Sequence, residues 1–491
     1  MRNGHLNCTF LRIPPYYGTF LAHPQESQLP LGIAQMAACL LHLDWKVKVA
    51  DLWADEVKER KLQEKLKGQP IDLLMVHVDS MNHEPVERIL LDTRRVFGPN
   101  LKIVAFGQYA EVFPDRLLIP HGCFDACISG EPEQTLTELA IRIRENRPFD
   151  DLAGLVSFSP VTGLTVRHAE RELIQDLDTL PFPAYDVFNL DAYAKQSAFV
   201  PIWGKVRWGW ILSSRGCPFH CLFCSPTLRK SCGGSYRAHS ARYIADLAEK
   251  LVSTHGCNAI AFEDDIFSFS RERTLDLCDA LIHRRLNIRW TAQTHLSTLD
   301  EELIRVMHNA GCSALCMGVE AGSDEIRAAI KSRSLSRETI QKNVELLKRH
   351  GIQPTLYFMI GNPGETLEQM EETLKLALEL KPMTIQLAFF TPYPGSRAWE
   401  DYMSDKGVEP ELSHYNRFTV NLSAATRDEV LNFYQRFYRK FYLNPDYIWR
   451  YLSQRLPYTM SQKSSGEWRL LLRSLAFIAL PYHGIRWPKG K

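Results

Sequence analysis

Apolar runs of strand length recur through the first 150 residues: LNCTFLRIPP, VKVADLW, DLLMVHVDS, KIVAFGQ and FDACISG. Between them lie stretches such as PLGIAQMAACLLHLDW, whose apolar positions have helical spacing. Five strands alternating with helices predict an open, mostly parallel sheet of the doubly wound, Rossmann type. Ligands of such sheets sit beyond the carboxyl ends of the strands. The loops of interest are therefore Pro14 to Gly18, His77 to Asn82, Gly107 to Glu111 and Gly130 to Glu133.

The pattern breaks near residue 150. GLVSFSPVTGLTVR predicts a small hairpin turning at Thr162-Gly163, and DLDTLPFPAYDVF, with Pro181 and Pro183, reads as an extended linker. A second α/β region starts near Trp208. Its strands are expected to end at Ser214, Asp264, Thr294, Glu320, Gly361 and Thr391. The helices between them carry clear signals: Ile244, Leu247 and Leu251 share one face and Gly256 ends that helix, while Ser336 caps a second and Gly351 closes it. Six βα units predict a partial (β/α)6 TIM-type barrel, with function at the strand carboxyl ends. Beyond about residue 400 the pattern is helical and aromatic-rich. The expected organisation is an α/β domain over 1–150, a hairpin and linker over 151–205, the partial barrel over 206–400, and a helical region over 401–491.

Composition narrows the function classes. Lys plus Arg number 58 and Asp plus Glu 57, so no global field recruits nucleic acid, and no local basic patch argues for it. The opening MRNGHLNCTFLRIPPYYG lacks the apolar core of a signal peptide, and no segment approaches the roughly 20 apolar residues of a membrane span; a cytoplasmic location is expected. Twelve cysteines in such a chain are not a disulfide framework. Cys232, Cys257, Cys278, Cys312 and Cys316 are expected to be packing residues, as is the strand-borne pair Cys123 and Cys127.

One cluster differs. RGCPFHCLFCSP places Cys217, Cys221 and Cys224 on a loop following the strand WGWILSS. Structural zinc usually takes four ligands in two separated pairs, and there is no matching second pair, although His220 lies inside the loop. Three thiolates also suit a 4Fe-4S cube with one iron left open.

The spacing CxxxCxxC, with the aromatic Phe223 before the last cysteine, resembles the signature of radical S-adenosylmethionine enzymes. The flanks SYRAHSARYIADLAEKL, IAFEDDIFSF, AGCSALCMGVEAGSDEI, TLYFMIGNPGET and FFTPYPGSRAW extend the resemblance from about residue 208 to 400. It implies that Cys217, Cys221 and Cys224 hold a 4Fe-4S cluster whose open iron binds S-adenosylmethionine. By position it also implies that Glu263 and Asp264 hold the amino group, that Glu320 and Ser323 lie near the ribose or carboxylate, and that Gly361 and Gly364 admit the adenine side. His295 is expected to be a satisfied polar residue, and no side chain is assigned to catalysis.

The first domain resembles the cobalamin-binding domain of radical enzymes that add a corrinoid, with Gly107 and the Gly130-Glu131 turn on its ligand edge. It lacks a DxHxxG loop, since Asp79 and His83 in VHVDSMNHEP have the wrong spacing. The resemblance implies a cobalamin-dependent radical enzyme methylating an unactivated carbon of a small-molecule or lipid-like substrate through a 5′-deoxyadenosyl radical. The alternatives are radical rearrangement or oxidative cyclisation without methylation, and a radical enzyme with a vestigial cobalamin domain. A one-electron reductant such as flavodoxin or ferredoxin is the expected partner. The closing stretch WRLLLRSLAFIALPYHGIRWPKGK is expected to pack on the barrel, with peripheral membrane contact as its other reading.

Overall fold

The computed structural model describes residues 5–13, 28–52, 54–55, 62, 66, 68–80, 82–98, 100–118, 123–194, 206–224, 235–331, 335–407, 409 and 418–461. Strands β1 (Asn7–Arg12), β2 (Lys46–Asp51), β3 (Leu73–His77), β4 (Lys102–Phe106) and β5 (Ala126–Ile128) form a parallel sheet in the order β2-β1-β3-β4-β5. The order reverses between β1 and β3, which puts the ligand crevice at their carboxyl ends. Both faces of the sheet are covered, so its strands read as continuous apolar runs. In β3, Leu73 and Met75 enter the core shared with α1 (Leu31–Leu41), while Leu74 and Val76 enter the core under α2 (His83–Phe97). A third helix, α3 (Pro132–Arg144), follows β5 and packs beside α1.

Two features differ from the sequence reading. The hairpin of β6 (Leu155–Ser159) and β7 (Leu164–Arg167) is not a separate module, because β6 pairs antiparallel with β5 and extends the first sheet to seven strands. The segment expected to be an extended linker is a buried wedge. Leu177, Tyr185 and Tyr193 are each at most 2% exposed. The Tyr185 hydroxyl donates to the Trp210 carbonyl at 2.6 Å, Ala184 N–H donates to the Ala34 carbonyl at 2.9 Å, and the Tyr193 hydroxyl donates to Asp51 at 2.6 Å. Period counting alone does not reveal such a wedge, since its apolar residues follow neither helical nor strand spacing.

Strand β8 (Trp208–Ile211) opens the second sheet. A two-residue ribbon, β9 (Ser214–Arg215) with β10 (Arg237–Ala238), follows it, and α4 (Ala241–His255) packs behind. Strands β11 (Ala259–Phe262), β12 (Arg289–Thr294), β13 (Cys312–Glu320), β14 (Gln353–Ile360) and β15 (Thr384–Phe389) complete a six-stranded, all-parallel sheet in simple sequence order. This is the open half-barrel expected from the six βα units. Ser240 caps α4 by accepting from Tyr243 N–H, and the helix ends at Gly256 in the left-handed region, φ 64°. Between β13 and β14 lie a short helix, α5 (Asp324–Ile330), and α6 (Arg337–Arg349), whose Ile340, Val344 and Leu347 are buried.

The two faces of the half-barrel differ chemically. Its outer face is apolar under the helices: Trp290 packs on Phe262 and Phe267, with its indole N–H donating to the Ala310 carbonyl at 2.8 Å. Inward positions alternate with these, and Gln293, Tyr357 and Gln386 among them remain half-buried, a polar inner lining. The far edge of the sheet is closed by α7 (Arg427–Tyr442) and α8 (Pro445–Ser461). Three tyrosine hydroxyls take the place of a seventh strand. Those of Tyr442 and Tyr438 accept from the N–H groups of Ile385 (3.2 Å) and Leu387 (3.1 Å), and Tyr447 donates to the Met383 carbonyl at 3.1 Å. Among the described residues no helix is long and apolar enough to cross a membrane.

Candidate active site

The cysteine loop leaves the half-barrel at the carboxyl end of its first strand. Cys217, Cys221 and Cys224 are half-buried and form no disulfide, whereas the eight other described cysteines are all buried. Cys232 lies outside the described residues. The buried thiols carry raised pKa values through desolvation, Cys278 to about 12 and Cys316 to about 11, which suits packing rather than ligation. No three Cys, His, Asp or Glu side chains among the described residues converge as a ready-made metal site. Three accessible soft donors on one loop satisfy a cube with one open iron.

Several elements fix this loop. Leu222 N–H donates to the Ile330 carbonyl at the end of α5 (2.8 Å), and the Leu222 carbonyl accepts from Ala398 N–H (3.1 Å). Phe223 packs against a cluster formed by Ala321, Ile326, Ile330, Met359, Phe390 and Ala398, so its role in this structure is to anchor the loop on the fourth to sixth strand ends. Phe219 meets the ring of His295 edge-on at 4.9 Å. His295 is itself occupied, with Nδ1 2.7 Å from the Ser297 hydroxyl.

The carboxylates after β11 divide into two kinds. Asp264 is fully buried and accepts from Ser213 N–H (2.6 Å), the Ser213 hydroxyl (2.5 Å) and the Ser214 hydroxyl (2.6 Å). Three of the roughly four acceptor sites of this carboxylate are taken, so Asp264 clamps the end of the first strand and has one site left for the ligand expected of it. Glu263 and Asp265 are half-buried on either side of it. Burial, reinforced by the charge of Asp264, pushes the Glu263 carboxyl up to about 7, with Gln293 opposing as hydrogen-bond donor. The same causes push Asp265 up to about 6, opposed by Gly216 N–H. Asp265 thus shares the strand end at which the sequence groups it with Glu263 and Asp264.

At the end of β13 the ladder slips between Gly318 and Glu320, and Glu320 takes φ 68°. A non-glycine residue in the left-handed region needs support from its surroundings. Lys331 supplies it, with Nζ donating to the Gly318 carbonyl (2.7 Å) and lying 3.3 Å from the Glu320 carboxylate. Ser323 is buried at the N-cap of α5 but makes no capping bond through its hydroxyl. Gly361 packs against the C-terminal region, whereas a Cβ on Gly364 would meet nothing within 4 Å. A Cβ on Gly361 would meet Phe418 at 3.4 Å, and Gly364 N–H donates to the Leu422 carbonyl at 2.9 Å, so this turn faces the C-terminal region. Glu365 supports the turn by accepting from Asn362 N–H and Nδ2, both at 3.0 Å, and burial pushes its carboxyl up to about 7.

On the first domain's ligand edge, Gly107 adopts φ 106° with the Val78 carbonyl only 2.7 Å from where a Cβ would stand, so no other residue fits that turn. Gly130 has open space in the same position. His77 is half-buried against Phe106 at 5.4 Å, and His83 stacks on Tyr109 at 4.3 Å. Loop 14–18 lies outside the described residues. A flat cofactor fits an edge with open space over Gly130. Glu131, expected to face that cofactor, instead turns to the second domain and pairs with Arg215 (2.9 Å) and Arg237 (3.0 Å). At the opposite end Phe113 meets Trp399 at 6.0 Å and Arg116 pairs with Glu409. The carboxyl edges of the two sheets therefore meet at two places.

An open parallel half-barrel with a three-cysteine loop after its first strand defines a radical S-adenosylmethionine domain. The sequence model of the Radical SAM superfamily matches residues 211–377, so the chain is an enzyme carrying a radical S-adenosylmethionine domain, with a 4Fe-4S cluster and S-adenosylmethionine as cofactors. It is 27% identical over 422 residues to an uncharacterized methyltransferase, PH0819, of Pyrococcus horikoshii, spanning 85% of this chain and 88% of that protein. It is 25% identical over 445 residues to the anaerobic magnesium-protoporphyrin IX monomethyl ester cyclase of Rubrivivax gelatinosus, spanning 89% and 78%. The cobalamin-dependent S-adenosylmethionine radical enzyme OxsB, solved with aqua-cobalamin and S-adenosylmethionine bound, shares the fold with a TM-score of 0.70 at 15% identity, covering 97% of this chain and 76% of that one.

Proposed function

We propose that this enzyme methylates an unactivated carbon of a small-molecule or lipid-like substrate enclosed between its two sheets. When bound, the cluster with S-adenosylmethionine supplies a 5′-deoxyadenosyl radical, and cobalamin on the first domain supplies the methyl group. The observation that carries the reading is the meeting of the two carboxyl edges, with the three accessible thiols on one side and the open Gly130 edge on the other. Cys217, Cys221 and Cys224 hold the cluster. Glu263, with an acceptor to spare, holds the ammonium of S-adenosylmethionine, and Glu320 with Lys331 orients its ribose and carboxylate end. The buried wedge and the polar lining exclude bulk water from the reacting carbon.

We divide the chain as 1–150 for the cobalamin side, 151–205 for the connecting segment, 206–400 for the barrel and 401–491 for the helical cover. A one-electron reductant such as flavodoxin or ferredoxin in the cytoplasm completes the cycle. Peripheral membrane contact through the C-terminus is supported by the exposed Ile448, Trp449 and Leu452 of α8; residues 467–491 lie outside the described residues.

The test is anaerobic reconstitution with iron, sulfide and hydroxocobalamin, followed by desalting and metal analysis. About four irons and one cobalt per chain are expected. Incubation with methyl-labelled S-adenosylmethionine and reductant should then yield 5′-deoxyadenosine and transfer label to lipid or small-molecule extracts. Iron without cobalt would remove methyl transfer and leave a radical enzyme. The likeness to the ester cyclase favours one second reading, ring formation without methylation, which predicts both metals and 5′-deoxyadenosine but no transferred label.

A further inference from the structure

The cysteine loop starts from a narrow neck. That neck is the β9–β10 ribbon, in which Ser214 faces Ala238 and Arg215 faces Arg237. Two arginines directly opposed across a strand pair repel each other. Glu131 of the other domain lies between them. Its Oε1 accepts from Arg215 Nη1 (2.9 Å) and Arg237 Nη2 (3.0 Å), and its Oε2 accepts from Arg237 Nη1 (3.0 Å) and Ile174 N–H (2.9 Å). Glu133 takes the remaining face of Arg215 at 2.5 Å. The side chains of Arg215, Glu131, Arg237 and Glu133 are 11%, 6%, 6% and 4% exposed.

We propose that Glu131 is a positioning residue for the cluster: from the first domain it clips the neck of the cysteine loop shut and balances the two arginines beside it. Buried charge clusters add little net stability, because desolvation offsets attraction, and their best-attested use is to fix register. Here the register fixed is that of the loop ends. The bidentate contact to Arg237 sets direction as well as distance. Arg215 is two residues from Cys217, so the clip acts on the cluster both mechanically and through charge. Neutralising Glu131 opens the neck and leaves an uncompensated positive charge, which favours the reduced cluster.

The inference rests on the reading that the three cysteines hold a cluster, and the test separates the two. Full-length wild type and E131Q are reconstituted anaerobically with iron and sulfide. Iron content, the rate of iron release to a chelator and the midpoint potential by titration under electron paramagnetic resonance are then compared, together with the melting temperature. Wild type and E131Q should both hold about four irons. E131Q should release iron about tenfold faster, as expected for loss of a group behind a metal ligand, and its midpoint potential should rise. Equal release rates and equal potentials would overturn the clip while leaving the cluster in place. A wild type that assembles no cluster would instead overturn the underlying reading and the clip with it. Should E131Q fail to fold, E133Q, which loses a contact to Arg215 alone, makes the same comparison.

Discussion

Asp264 Oδ1 accepts from the backbone N–H of Ser213 at 2.6 Å, tying the end of the second barrel strand to the end of the first, three residues before the cysteine loop begins at Gly216. Replacing Asp264 by Ala removes an acceptor from that N–H and from the Ser213 and Ser214 hydroxyls in a fully buried setting. The expected loss is about 3 kcal/mol, measured by chemical denaturation, because buried donors are left without partners. Asp264→Asn, which keeps one acceptor, should lose less.

Substituting Cys217, Cys221 or Cys224 by Ala should each reduce bound iron from about four to below one per chain and abolish 5′-deoxyadenosine formation. Cys278→Ala, at a thiol that is fully buried in a helix, should retain both. Iron counting after reconstitution distinguishes the two sets.

Glu263 gives a pH signature. Its folded pKa of about 7 lies above the ordinary carboxylate value of 4.5, so the folded state binds the proton more tightly than the unfolded chain. The stabilisation is fully present below about 4.5 and disappears as pH rises through about 7. Glu365 titrates in the same window, so the informative quantity is the difference between wild type and E263Q. Without ligand, wild type should lose stability relative to E263Q between pH 5 and pH 8, roughly the span of the shift. Calorimetric binding of S-adenosylmethionine near pH 6.5 should release a proton from wild type that E263Q does not release.

The tyrosine-covered sheet edge makes a further prediction. Tyr438→Phe and Tyr442→Phe each leave a β15 N–H without its partner, at a cost of about 1 kcal/mol in denaturation midpoint analysis. The double variant exposes an open strand edge, so light scattering during refolding should rise above that of wild type.

Much of this architecture is legible in the sequence because it is local. Six strand ends, a capping serine and the CxxxCxxC spacing are written within short windows, and Gly256 and Ser336 occupy the positions expected of them. What escaped depends on contacts between distant segments. Asp264 and Glu263 are adjacent and chemically alike, and only the fold shows that the serines at 213 and 214 occupy most of one and spare the other. Glu131 sits in a turn typical of ligand edges, but its arginine partners lie 84 and 106 residues away. The tyrosines of α7 read as an aromatic helix face, with nothing in their spacing to show that they hydrogen-bond a strand.

The wedge formed by residues 174–194 bears on how a substrate gets in. Chains of two domains usually allow one to swing against the other when the contact between them is small and polar. Here Leu177, Tyr185 and Tyr193 are buried between the sheets, and Tyr185 and Tyr193 are hydrogen-bonded to opposite sides. A clamshell opening would drag these side chains into water. The wedge therefore predicts access by loops at the rim, with the spacing of the two sheets held fixed.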